Sequence, residues 1–168
     1  MCDVYENGIY VVKKEQIPEC VQVIRESFRT VADAFGITAE NAPRFTAFST
    51  NSERLYWHLE EEYRPMYAFL DKGKITGYYS LLLQENRTCE LINLSVLPEY
   101  RHKGIGARLL RHALQTAEKL DCHKVEIGIV EENQVLRKWY ENFGFVHTGT
   151  KKFEFFPFTC GYMEKKIG

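Results

Sequence analysis

The segment with the most chemical content is Arg101-His102-Lys103-Gly104-Ile105-Gly106, which follows a β-branched run ending at Leu97-Pro98. A strand, a proline-bearing turn and a glycine-bearing helix start leave the first amides of that helix without acceptors. The helix dipole adds about half a positive charge there, so an anion is stabilised. Glycines at 104 and 106 remove the Cβ atoms that would hold a bulky phosphate away from those amides. Arg101 and Lys103 add positive charge. Two familiar phosphate loops are excluded. No Gly-x-x-x-x-Gly-Lys-Ser/Thr string occurs, and Leu109 stands where a dinucleotide fingerprint needs its third glycine, although Glu126 lies 20 residues past Gly106, near the place of a ribose-binding acid. Taken alone, the loop is an anion-binding turn or a turn whose glycines permit close helix packing.

The other reactive side chains form no site by spacing. Histidines at 58, 102, 112, 123 and 147 lack the separation of zinc ligands, and the adjacent Cys122-His123 would point to opposite faces of a strand, so no metal is expected. Cysteines at 2, 20, 89, 122 and 160 form no CxxC pair, and none has a neighbouring base to make it a nucleophile. With no secretory hydrophobic region at the start, they read as reduced thiols of a cytoplasmic protein.

The elements that must position the loop follow from periodicity. Gly8 to Lys14 suits a first strand. Ile17, Cys20, Val21, Ile24, Phe28, Val31 and Phe35 form one apolar stripe, predicting a helix that Gly36 ends. Leu55, Tyr56 and Leu59 suggest a short second helix after an irregular stretch that is a candidate substrate wall. Strand-like runs over 65–70 and 74–83 flank Asp71-Lys72-Gly73-Lys74, a hairpin signal, and a further strand spans 88–97. Ile105, Leu109, Ala113 and Ala117 recur every four residues as a helix. A strand over 125–130, a helix over 133–142 and two strands over 145–167, broken near Pro157, complete a mixed α/β chain.

Composition limits the function classes. With 168 residues, 45% of them hydrophobic, the chain is expected to form a single domain over 1–168. The 22 basic and 23 acidic residues leave a net charge of −1, so neither nucleic acid nor an anionic membrane is an expected partner. The uncharged stretch Ile75–Leu83 is too short to cross a bilayer.

With these elements in place, the loop resembles the signature Arg/Gln-x-x-Gly-x-Gly/Ala of the GNAT N-acetyltransferases, and Asn133, Tyr140 and Gly144-Phe145 are similar to that family's second cofactor motif. Leu136 departs from the small residue that many members carry three positions after the asparagine. The resemblance implies a GNAT fold: one mostly antiparallel sheet of six or seven strands, splayed between the strands at 88–97 and 124–130, with about four helices. It implies acetyl-CoA as donor, its pantetheine held by backbone groups of Leu94, Ser95 and Val96, and the Leu94 amide polarising the thioester carbonyl. The pyrophosphate falls to Arg101, His102, Lys103, Gly104, Ile105, Gly106 and Ala107, with Asn133 and Tyr140 bordering the cofactor.

By the same resemblance Tyr140 is the general acid for the leaving thiolate, and Glu90 the candidate base. Glu90 lies 11 residues before Arg101, and strict alternation would place it on the face of Ile92 and Leu94, where apolar surroundings raise its pKa. Glu126 is a weaker substitute. Each residue also has a structural reading: Glu90 as an exposed strand-end acid, Tyr140 as a core ring, Asn133 as a helix cap. The acceptor is a primary amine of a small molecule or peptide. Arg44, Glu53, Tyr56, Glu60, Glu61 and Glu62 line a pocket for a cationic amine or form a solvated helix face. The aromatic run Phe153–Phe158 offers a homodimer contact. Two rival readings remain, a non-catalytic CoA-binding sensor or scaffold and a nucleotide-binding module.

Overall fold

The computed structural model describes residues 6–168, so Cys2 lies outside the described residues. Strand β1 (Gly8–Val11) leads through a 3-10 turn to α1 (Ile17–Ala34), then α2 (Thr46–Ser49) and α3 (Ser52–Glu60). Strands β2 (Met66–Asp71), β3 (Lys74–Leu83) and β4 (Thr88–Val96) form a meander. A second 3-10 turn (Pro98–Tyr100) feeds α4 (Ile105–Lys119), followed by β5 (Lys124–Val130), α5 (Gln134–Glu141), β6 (Val146–Lys152) and β7 (Thr159–Lys166). The seven strands lie in the order β1-β2-β3-β4-β5-β7-β6, and β4/β5 is the parallel pair.

Local chemistry explains the elements. The hairpin between β2 and β3 turns on Lys72 and Gly73, both at positive φ (51° and 80°), as a two-residue turn with right-handed strand twist requires. Pro18 sits in the first turn of α1, where its missing N–H costs nothing, and Gly36 at φ 64° follows the helix end. Phe35, expected on the apolar stripe, falls outside the helix and is exposed. The strand expected over 8–14 stops earlier: Val12 donates its amide to the Met66 carbonyl at 3.0 Å, and the chain then curls into the 3-10 turn. Helix α4 buries Ile105, Leu109, Ala113 and Ala117, the stripe read from the sequence, against β3 and β4. Gly77 on β3 is required there, since a Cβ would lie 2.7 Å from the Leu109 Cδ1.

Two apolar layers sandwich the sheet. One joins α4 and α5 to Tyr79, Leu91, Val125, Ile127 and Met163; the other joins α1 and α3 to Met66, Ala68, Leu70, Ile75 and Tyr78. A third cluster, Ala32, Ile37, Phe45, Val130 and Phe158, closes the sheet below the C-terminal half of α1.

Two irregularities shape the site. Parallel pairing of β4 with β5 is limited to Thr88↔Lys124, Cys89↔Val125 and Glu90↔Glu126, after which the strands diverge. In β4 itself the register to β3 slips between Ile92 and Ser95, with Asn93 at φ 56°: a β-bulge. Leu91, Leu94 and Val96 therefore all pack toward α4, and the alternation expected across Asn93 is reset.

Candidate active site

Beyond Glu90 the diverging strands open a cleft of about 680 Å³ that crosses the sheet. On the α4 side it is bordered by Leu94, Val96, Arg101, His102, residues 104–107, Asn133 and Tyr140, while Lys103 is not part of the lining. On the α1 side it is bordered by Phe28, Arg44, Phe45, Phe156, Phe158 and Tyr162. Asn93 and Leu94 have no register partner on β3 or β5, so the bulge sets the rim of the gap.

The turn before α4 is built to leave amides free. Leu97 enters it with its own amide on the Thr76 carbonyl, the Pro98–Tyr100 turn reverses the chain, and His102 and Gly104 adopt positive φ of 62° and 80°. Gly104 is the helix cap, where a side chain would be strained. The first α4 bond runs from the Arg108 amide to the Gly104 carbonyl at 3.0 Å, and among the described residues the amides from His102 to Ala107 donate to no backbone carbonyl. They stand at the positive end of a 15-residue helix, a cradle for a pyrophosphate. Gly106 faces Trp139 and Val96 at 3.6 and 3.7 Å from a built Cβ, so packing within the protein does not demand glycine there. Lys103 lies over the Tyr100 ring at 5.2 Å.

Arg101, expected beside the pyrophosphate, has protein partners of its own. Its guanidinium donates to Thr30 Oγ1 at 2.9 Å, to the Ser27 carbonyl at 3.0 Å and to Ser27 Oγ at 3.2 Å, all on α1. The side chain tethers the turn to α1 while still bordering the cleft. Burial at this contact lowers its pKa.

Also bordering the cleft, Tyr140 is buried between Trp139 and Phe145, with ring centroids 5.0 and 5.3 Å away in edge contacts. Its hydroxyl makes no hydrogen bond among the described residues. No fully buried side-chain oxygen there lacks a partner, so this hydroxyl opens onto the cleft it borders. Burial pushes the phenol pKa upward, which keeps the proton available. Asn133 accepts the Leu136 amide at 3.2 Å as the cap of α5 and also faces the cleft, combining its two readings. Ser95 is buried with its hydroxyl on the Asn93 carbonyl at 2.7 Å, which leaves only its backbone for a ligand.

Glu90 sits at the vertex of the splay, beside Glu126 on β5. It does not line the cleft, and the bulge turns it to the face opposite Leu94, contrary to strict alternation. It is half-buried, and burial raises its carboxyl pKa, with Arg64 opposing and Glu126 reinforcing. Gln84 Nε2 donates to it at 3.4 Å. The group proposed around a cationic amine is divided: Arg44 borders the main cleft, whereas Glu53, Tyr56, Glu60 and Glu61 lie in a separate hollow of about 520 Å³ on α3, and Glu62 pairs with Arg64 at 2.9 Å. Sequence reading missed Asn93, Phe28 and Tyr162, whereas Phe45 falls in the irregular stretch read as a candidate substrate wall. Tyr162 reaches the cleft because β7 pairs it with Gly128, whose missing side chain leaves the space open.

The splayed seven-strand sheet and the turn at its opening form the fold expected of an acetyltransferase of the GNAT type. The acetyltransferase (GNAT) family model matches residues 29–145. An uncharacterized N-acetyltransferase of Mycobacterium tuberculosis is 29% identical over 117 residues, covering 70% of this chain and 75% of the relative. The ribosomal-protein-S18-alanine N-acetyltransferase of Escherichia coli superposes with a TM-score of 0.74 at 16% identity, covering 97% of this chain and 95% of the other. The PaiA N-acetyltransferase of Thermoplasma acidophilum, solved with coenzyme A, gives 0.76 at 21% identity, covering 97% and 100%. The chain belongs to the GNAT family and is an acetyl-CoA-dependent N-acetyltransferase. Among the described residues no helix is long and apolar enough to cross a membrane.

Proposed function

We propose that this chain, as one domain over 1–168 in the cytoplasm, moves an acetyl group from acetyl-CoA to a primary amine by direct attack in a ternary complex. The observation that supports the reading is the presence along one cleft of a run of helix-start amides and a tyrosine hydroxyl, neither with a hydrogen-bond partner among the described residues. The amides of 102–107 hold the pyrophosphate, and the free rim of β4 at Leu94 to Val96 takes pantetheine as an added strand. The Leu94 amide faces the oxygen that gains charge during attack. The amine nitrogen bonds to the acetyl carbon as the carbon–sulfur bond breaks. Tyr140 gives its proton to the departing sulfur, and the proton lost by the amine reaches Glu90 through water, since Glu90 stands one residue beyond the cleft.

Thermal unfolding with added ligand tests the donor: CoA raises Tm, while NAD and ATP leave it unchanged. Stabilisation by NAD alone overturns the reading. Tyr140→Phe tests the acid. Turnover falls by about 100-fold with CoA affinity retained, and an unchanged turnover removes Tyr140 from the mechanism.

A further inference from the structure

Resting on that reading, we infer that the acceptor is an aromatic primary monoamine rather than a polyamine or a lysine side chain. The α1-side lobe of the cleft ends in a continuous wall of rings. Phe28 meets Phe45 edge-on at 6.1 Å, Phe45 meets Phe158 edge-on at 5.6 Å, and Phe158 stacks on Phe156 at 4.7 Å. Phe28 and Phe156 are only half-buried, so part of each ring stays open to a ligand that borders the cleft. An aryl group entering there completes the same edge and offset contacts, each worth about 0.5–1.5 kcal/mol beyond the area buried.

Charge selects in the same direction. Among the described residues lining the cleft there is no aspartate or glutamate. The lining arginines are Arg44, exposed at the mouth with its guanidinium 4.6 Å from the Phe155 centroid, and Arg101, already engaged by α1. A second ammonium on the acceptor would find no carboxylate in the lining itself, the Glu90 carboxyl standing beyond the rim, and would face Arg44. A single amine next to apolar walls has its pKa lowered, which increases the neutral form that can attack. A lysine arm presents only methylenes to the ring wall and leaves most of it uncovered.

The test measures thiol release from acetyl-CoA with 2-phenylethylamine, spermidine, Nα-acetyl-lysine amide and an alanine-initiated hexapeptide. The expected order places 2-phenylethylamine at least about tenfold above each other amine in kcat/KM. Phe156→Ala raises KM for 2-phenylethylamine about tenfold while KM for acetyl-CoA stays unchanged. Arg44→Glu raises the ratio of kcat/KM for spermidine to that for 2-phenylethylamine by about fivefold or more. Equal use of all four amines, or preference for spermidine, the lysine amide or the hexapeptide, overturns the inference. So does acetylation of none of them by a protein that CoA stabilises, an outcome that leaves the CoA reading standing. Failure of CoA to stabilise the protein removes the parent reading instead.

Discussion

Arg101 is the position where two accounts of the cofactor turn give opposite results. If its guanidinium tethers the turn to α1, its worth is set by bonds to Thr30 Oγ1, the Ser27 carbonyl and Ser27 Oγ at 2.9, 3.0 and 3.2 Å. Bonds to a charged donor at a partly buried site contribute about 1.5–3 kcal/mol, so Arg101→Ala is expected to cost about 2 kcal/mol. For a chain of this size each kcal/mol lowers Tm by roughly 2–4 °C, giving a fall of about 4–8 °C. Thr30→Val removes one acceptor without touching the turn and costs about 1 kcal/mol. The double variant then loses about 2 kcal/mol rather than the additive 3 kcal/mol, a coupling of about 1 kcal/mol that a double-mutant cycle in thermal or urea unfolding resolves. The cycle also cancels the bond that Thr30 Oγ1 itself donates to the Ser27 carbonyl at 2.7 Å. Calorimetric titration of CoA in the same variants completes the assay, with Thr30→Val leaving affinity unchanged. Additive losses, together with an Arg101→Ala protein of normal Tm and about a hundredfold weaker CoA binding, would refute the tether and restore Arg101 as a phosphate ligand.

Two further outcomes follow from the same geometry. Burial raises the Glu90 pKa above its unfolded value, so its contribution to stability is present below the unfolded value and is lost as pH rises through the folded one. Glu90→Gln should therefore gain Tm relative to the parent as pH rises across that window, and a pH-independent difference would contradict the burial; as proposed base, its loss should lower turnover most at the acid end of the active range. Gly104→Ala places a Cβ at φ 80°, with no atom within 4 Å to clash, so the cost is backbone strain alone, about 1–2 kcal/mol or several degrees of Tm. A Tm equal to the parent would show that the turn does not need its left-handed residue.

What the sequence made legible was what rests on local pattern. The hairpin at Lys72-Gly73, the α4 stripe from Ile105 to Ala117 and the glycine at 104 each carry their reason within a few residues. Asn93 does not. A single residue at positive φ leaves no period to detect, yet it decides which face every β4 side chain before it takes, and so where Glu90 points. The direction of Arg101 was hidden for a different reason. An arginine beside a helix start reads as an anion ligand, and the competing acceptors lie on α1, at Ser27 and Thr30. The ring wall draws on Phe28, Phe45, Phe156 and Phe158, which only the closed sheet brings together; in sequence they fell into a core stripe, an irregular stretch and an aromatic run that offered a dimer contact.

The three-rung contact between β4 and β5 has a mechanical meaning. By backbone pairing the molecule is two rafts, β1-β2-β3-β4 and β5-β7-β6, riveted at one corner from Thr88 to Glu90. Elsewhere along that seam the rafts face each other across open space, and whatever lies there inherits the part of the missing rungs. On the proposed function the donor is a crossbeam as well as a reagent: bound in that gap it bridges the two rafts, and its release as free thiol takes the bridge away.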